Sequence, residues 1–295
     1  MTFEGISTAL VTPFRNGEID WNAFERLIER QLDAGISALI VCGTTAESPV
    51  LSKAEKKALI RAALERCGGR AAVMAGTGSN STAESIAFSK WAVQQGVDAL
   101  LLVVPYYNKP NQEGLYRHFE AVARAAAPTP VCLYNVPGRT VADLLPETIG
   151  RLAAVDNIRL VKEATGLMDR VVSILELAPK LTVLSGDDKS FFNGLRHGMK
   201  GIISVASNVF PERMIELHRV WAEGDLERAA ALNERLAPLF AGLFCETNPV
   251  PVKAGLAMMG LIEERVRLPL VPMQPHNKEK LRKCLKSLSL IQESE

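Results

Sequence analysis

Eight short apolar runs recur along the chain, at 6–11, 38–42, 71–75, 99–104, 130–134, 159–162, 181–185 and 201–205. Within them the apolar character is continuous rather than alternating. That pattern predicts strands covered on both faces. The segments between them read as helices. In the first, Trp21, Phe24, Leu27, Ile28 and Leu32 recur at three-and-four spacing and so share one helix face. Ser52-Lys-Ala-Glu55 and Ser81-Thr-Ala-Glu84 each match a capping box and mark two further helix starts. Pro211 suits the first turn of another helix, where its missing N–H is no loss. Three segments share a pattern of helix end, glycine and apolar strand, and they place Gly35, Gly96 and Gly198 at left-handed helix caps.

Strand, helix, strand repeated eight times predicts an α/β fold, a (β/α)8 barrel. An open doubly wound sheet is the competing layout, but no GxGxxG follows the first strand. Gly76-Thr-Gly78 reads as a turn rather than a phosphate cradle. After about residue 225 the strand signal stops. The helical stretch 226–244, a break at Asn248-Pro-Val-Pro251, a second helix over 252–259 and a basic last helix over 278–288 predict a small C-terminal helical appendage. The expected division is a catalytic barrel over 1–225 and a helical domain over 226–295.

Composition narrows the function classes. With 295 residues, 47% hydrophobic and 23% charged, the chain can build a large globular core. A net charge of +1 points to neither a nucleic-acid nor a membrane partner. No apolar run approaches the length of a membrane span, and the N-terminus lacks the basic-then-apolar pattern of a signal peptide. Five cysteines without CxxC spacing read as reduced thiols of a cytoplasmic protein.

Candidate chemistry lies at the C-terminal ends of the predicted strands, where such barrels keep their active sites. Lys162 sits in an apolar strand. Burial there lowers an amine's pKa and leaves a nucleophile able to form a Schiff base with a carbonyl substrate. Read alone, the same stretch also fits a lysine with its head in water or paired to Glu163. Gly43-Thr-Thr-Ala-Glu-Ser48 follows the second strand, Pro105-Tyr-Tyr-Asn108 the fourth, Tyr134-Asn-Val-Pro-Gly-Arg-Thr140 the fifth and Ser185-Gly-Asp-Asp188 the seventh. Hydroxyls converging on a lysine suit proton relay, because making and breaking an imine needs repeated proton transfers. Thr44 and Thr45 are either turn residues or carboxylate holders. Arg139 is either a carboxylate clamp or a surface residue of a proline-glycine turn. Asp187 and Asp188 lack a third metal ligand nearby and read as loop and cap residues. His118, His197, His218 and His276 fall away from the strand ends. No metal and no cofactor is expected.

In this order the motifs, together with Asn-Pro-Val-Pro-Val-Lys253, resemble the dihydrodipicolinate synthase family of pyruvate-dependent Schiff-base lyases along the whole chain. The resemblance implies that Lys162 condenses with pyruvate. It implies a proton relay of Tyr134, Thr44 and Tyr107, the last supplied by a neighbouring subunit. Thr44 and Thr45 would hold the pyruvate carboxylate and Arg139 that of L-aspartate 4-semialdehyde, with Gly186 and Ile203 beside the lysine. The product would be 4-hydroxy-tetrahydrodipicolinate, for lysine and diaminopimelate synthesis, and the assembly a homotetramer of tight dimers. Lysine-inhibited members bind lysine at positions matching Ser48, Pro49, Lys53, Lys56, Asn80, Glu84 and Tyr106. Lys53 and Lys56 stand where sensitive members carry histidines, which predicts weak inhibition here. Ala46 replaces a usual glycine, which would strain the turn if its φ were positive. The runner-up is a sister aldolase, such as N-acetylneuraminate lyase or a 2-keto-3-deoxy sugar-acid aldolase. A non-catalytic acid-binding barrel is the third reading, which loss of the lysine or relay tyrosines would favour; none is lost.

Overall fold

The computed structural model describes residues 3–292. Ten strands are formed: β1 (Gly5–Ala9), β2 (Phe14–Arg15), β3 (Glu18–Ile19), β4 (Ala38–Val41), β5 (Ala72–Gly76), β6 (Ala99–Val103), β7 (Val131–Asn135), β8 (Ile158–Glu163), β9 (Thr182–Ser185) and β10 (Gly201–Ser204). All eight apolar runs are strands, with ends shifted by one or two residues. They pair in parallel in the order β1, β10, β9, β8, β7, β6, β5, β4, and β4 pairs back onto β1. The sheet therefore closes into the expected (β/α)8 barrel. The β2–β3 hairpin was not legible, because two-residue strands carry no periodicity.

The helices are α1 (Trp21–Ala34), α2 (Lys53–Cys67), α3 (Thr82–Gln94), α4 (Gln112–Ala126), α5 (Pro137–Thr140), α6 (Pro146–Leu152), α7 (Met168–Leu177), α8 (Phe191–Arg196), α9 (Pro211–Ala222), α10 (Leu226–Leu243), α11 (Val250–Met258) and α12 (Pro275–Ser287). Helix α1 buries Ala23, Phe24, Leu27, Ile28 and Gln31. Trp21 and Leu32 lie at the margins of that face, Trp21 being 40% exposed. Asp20 caps its start, and Gly35 ends it at φ +84°. Gly96 and Gly198 also take the left-handed conformation, at +86° and +97°. Pro211 opens α9.

The two capping boxes differ. At α2 both halves form: Glu55 N–H donates to Ser52 Oγ, and Ser52 N–H donates to the Glu55 carboxylate. At α3 only Ser81 caps, receiving the Glu84 N–H. The Glu84 carboxylate instead takes the Lys53 ammonium at 3.0 Å. The Ser81 N–H, which the second half of the box would use, donates instead to Ser79 Oγ at 3.1 Å.

Alternation along the strands separates two cores. Outward residues pack under the helices in one large cluster. Inward residues, among them Ala38, Ile40, Met74, Leu101, Cys132, Leu160, Leu184 and Ile203, fill the barrel. Helix α10 packs along α9, and α11 and α12 pack against α10. Among the described residues no helix is long and apolar enough to cross a membrane.

Candidate active site

Strand parity decides which way the lysine points. Leu160 faces the barrel interior, so Lys162, two residues on, does so too. Glu163 faces out. There it accepts from Thr165 N–H at 2.8 Å and pairs with Arg170 at 3.1 Å, and Arg170 also holds Asp143. The pairing of Lys162 with Glu163 that the sequence left open is therefore not made. Lys162 is 5% exposed, and among the described residues no carboxylate lies within ion-pairing distance of its ammonium. Its neighbour is aromatic: Nζ sits 4.2 Å from the ring centroid of Tyr134, its direct register partner on β7. A cation on a ring face keeps some electrostatic support without a counter-ion.

Gly186 closes the other side. A Cβ there would meet Ala164 Cβ at 2.6 Å and Lys162 Cε at 3.0 Å, so the position needs a residue with no side chain. Ile203 belongs to the interior layer. Gly186 is thus close to the lysine, and Ile203 is one of the residues filling the barrel interior.

Thr44, Tyr134, Val136, Arg139 and Thr140 line one cavity of 290 Å³ at the barrel mouth. The turn bearing Thr44 is tight: Ala46 N–H donates to Gly43 O and Glu47 N–H to Thr44 O. Positive φ falls on Cys42 and Glu47, at +59° and +57°, and not on Ala46. Alanine at 46 therefore carries no strain from a positive φ. Gly76 serves neither as turn nor as cradle. A Cβ there would lie 2.3 Å from Cys42 O, so glycine lets β5 pass against this turn.

Thr45 is buried and does not line the cavity. Its hydroxyl accepts from Asn248 Nδ2 at 3.0 Å. Arg139, on the short helix α5, donates through Nη2 to Asn248 O at 3.1 Å, and its remaining donors are free for a ligand. Tyr107 stands apart. It is 90% exposed, with φ +71°, and is not among the cavity residues of its own chain.

Of the positions matched to a lysine site, Ser48, Pro49, Lys56 and Tyr106 line the same cavity. Burial lowers the pKa of Lys56. Lys53 is turned to solvent and bound to Glu84, and Asn80 Nδ2 donates to Tyr106 O at 3.2 Å. Asp187 accepts the Ser190 N–H, and Asp188 accepts from Ser204 Oγ and from Val205 and Ala206 N–H. Burial pushes Asp188 up to about 6. Both aspartates act in loops and caps. No group of three His, Cys, Asp or Glu that could hold a metal occurs among the described residues. His118 bonds Thr82 Oγ1 under α3 and α4, away from the site.

Asn248, Glu47 and Lys253 stood within the motifs of the sequence, yet sequence reasoning assigned them no role. Lys253 had a readable signal, since a lysine within Val250-Pro-Val-Lys-Ala-Gly-Leu256 breaks an apolar run as Lys162 does. It is fully buried and pairs with Glu47 at 2.6 Å.

A closed parallel barrel with a lysine and hydroxyls at the C-terminal mouth of its strands defines a (β/α)8 lyase. The chain matches the Dihydrodipicolinate synthetase family over residues 2–288 and belongs to it. It is 49% identical to a 4-hydroxy-tetrahydrodipicolinate synthase of Thermodesulfovibrio yellowstonii, over 98% of this chain and 99% of that one. The crystal structure of dihydrodipicolinate synthase from Aquifex aeolicus superposes with a TM-score of 0.96 at 44% identity, covering 99% of this chain and 100% of that one. The chloride-inhibited synthase from Acinetobacter baumannii, complexed with pyruvate, superposes with a TM-score of 0.95 at 42% identity, covering 98% and 100%.

Proposed function

We propose that the protein condenses pyruvate with L-aspartate 4-semialdehyde to 4-hydroxy-tetrahydrodipicolinate, through an imine on Lys162, as a step toward lysine and diaminopimelate. The observation that carries the reading is Lys162 itself, buried at the barrel mouth, unpaired to any carboxylate among the described residues and set against Tyr134. The full-length likeness to named synthases supports the acceptor, and a pyruvate complex of a relative supports the donor.

In this mechanism the neutral amine of Lys162 adds to the C2 carbonyl of pyruvate and water leaves, giving the imine. Loss of a methyl proton gives an enamine, whose carbon attacks the aldehyde. The substrate's own amine then displaces Lys162 from C2, closing the ring and freeing the enzyme. Each step moves a proton, and Tyr134 and Thr44 lie on the cavity wall to carry it. Thr44 and Thr45 hold the pyruvate carboxylate, and Arg139 holds that of the aldehyde.

Tyr107 completes the relay of a second copy, within a homotetramer of tight dimers. Its 90% exposure in the single chain supports that role. Cytoplasmic placement agrees with the free state of all five cysteines.

Pyruvate with borohydride should add one reduced adduct per chain, found on Lys162 by mass spectrometry. An unchanged mass, or an adduct on another lysine, sinks the reading. Lys162→Ala should abolish both adduct and turnover.

A further inference from the structure

The turn that carries Thr44 and Thr45 is gripped from behind by the C-terminal helices. Glu47 ends that turn with a left-handed φ of +57°. Its carboxylate is buried, and both oxygens are used. Oε1 accepts from Lys253 Nζ at 2.6 Å, and Oε2 accepts from Arg267 N–H at 2.8 Å. Lys253 Nζ also donates to Thr12 O at 2.8 Å and lies 4.2 Å from the Phe14 ring centroid. Thr12 in turn donates to Ala46 O at 2.9 Å. Five residues before Lys253, Asn248 donates to Thr45 Oγ1. With that lone pair taken, the Thr45 hydroxyl keeps its proton free to donate to an anion.

Stability alone gives little reason for this pair. Two buried charges lose their water, and an apolar pair of like volume often serves folding as well. An apolar pair supplies no fixed direction, however. An ion pair with every acceptor used sets the turn in one place. Glu47 and Lys253 are buried and spent on one another and on backbone groups, so they act on the turn rather than on substrate.

We propose that Glu47 and Lys253 are positioning residues, whose buried ion pair ties α11 to the Thr44–Thr45 turn and sets those hydroxyls for the keto-acid carboxylate. The inference rests on the reading of the cavity as a keto-acid site. Burial draws Lys253 down to about 8. The Glu47 carboxylate beside it opposes that shift.

The test compares three full-length proteins. In the double variant Glu47→Met/Lys253→Met no orphan charge is left in the core. It should raise the KM for pyruvate about tenfold or more and lower kcat with it, because the displaced turn carries both the carboxylate-binding hydroxyls and the relay hydroxyl of Thr44. Glu47→Gln keeps one acceptor and sets an NH2 against a donor in place of the other, so it should raise the KM to a value between those of the native protein and the double variant. An unchanged pyruvate KM in the double variant overturns the proposal, whatever its melting temperature. The native protein gives a second readout that does not depend on a variant folding. Pyruvate should slow hydrogen exchange in peptides covering 248–254 and 261–270 as well as 43–50. Protection confined to 43–50 overturns the coupling. Native protein that forms no borohydride-trapped pyruvate adduct overturns the site reading and the proposal with it. An adduct together with uncoupled exchange overturns the proposal alone.

Discussion

Lys162 and Lys253 show how one residue type in one kind of sequence setting takes two roles. Each interrupts an apolar run, and each is buried. Lys253 meets a carboxylate, a carbonyl and a ring, so it is fully committed. Lys162 meets only a ring face, so its amine is free for chemistry. Arg139 lies between these extremes, with one N–H given to Asn248 O and the rest of the fork facing the cavity. Arg139→Ala should lower kcat/KM for the aldehyde on the order of tenfold to a hundredfold, as loss of a charge-assisted carboxylate clamp implies. Borohydride trapping of pyruvate should persist. If trapping falls in step, Arg139 serves the fold rather than the acceptor. Lys53 and Lys56 bear on feedback. Lys53 occupies the Glu84 carboxylate, and Lys56 presents a cation to the cavity. A ligand ammonium about 4 Å from either is repelled by roughly 1 kcal/mol in water and more where burial weakens screening. L-lysine up to millimolar levels should therefore inhibit weakly or not at all. Half-inhibition below a millimolar at saturating pyruvate would refute this placement, and Lys56→His should then leave inhibition unchanged.

At the level of elements, local chemistry set the helix starts and neighbours adjusted them. Ser52 makes a full capping box on α2, whereas Ser81 makes half of one on α3, where Glu84 binds Lys53 and Ser79 Oγ takes the Ser81 N–H. Ser52→Ala should cost about 1 kcal/mol of unfolding free energy, read from the urea midpoint. Ser81→Ala should cost less, and a larger loss there would show that the Lys53 contact is secondary. Strand parity is the stronger device. One residue of shift in β8 would turn Lys162 out to the helices and Glu163 into the barrel. The register with β7 and β9 prevents this, since Tyr134, Lys162 and Leu184 are partners in one layer.

For the whole molecule, the proposed relay is short of one member within the single chain, since Tyr107 does not line its own chain's cavity. Tyr107 points into solvent from a backbone held at φ +71°. Such a conformation in a bulky residue persists only where the surroundings impose it. Under the proposed assembly, a second copy that accepts Tyr107 into its own site would supply the purpose. Tyr107→Phe should lower kcat about tenfold or more, in line with the loss of a proton-relay group. Mixing Tyr107→Phe chains with inactive Lys162→Ala chains should restore activity. In a hybrid, one site then takes Lys162 from the first chain and Tyr107 from the second. No recovery after subunit exchange would place Tyr107 outside the shared site.

The apolar runs and their continuity determined the eight strands, because a strand buried on both faces must be apolar throughout. Glycine caps, serine caps and Pro211 determined where helices start and stop, because each satisfies or removes a backbone group within a few residues. Lys162 was legible because a charged amine in such a run needs a reason. The contacts between distant segments were not legible. Asn248 reaches Thr45 across more than 200 residues, and Lys253 reaches Glu47 likewise. No periodicity or spacing links positions that far apart. The packing of α11 on the barrel brings Lys253 to Glu47, and strand parity turns Lys162 inward while Glu163 goes to Arg170; tertiary structure thereby decided which lysine is paired with a carboxylate and which is not.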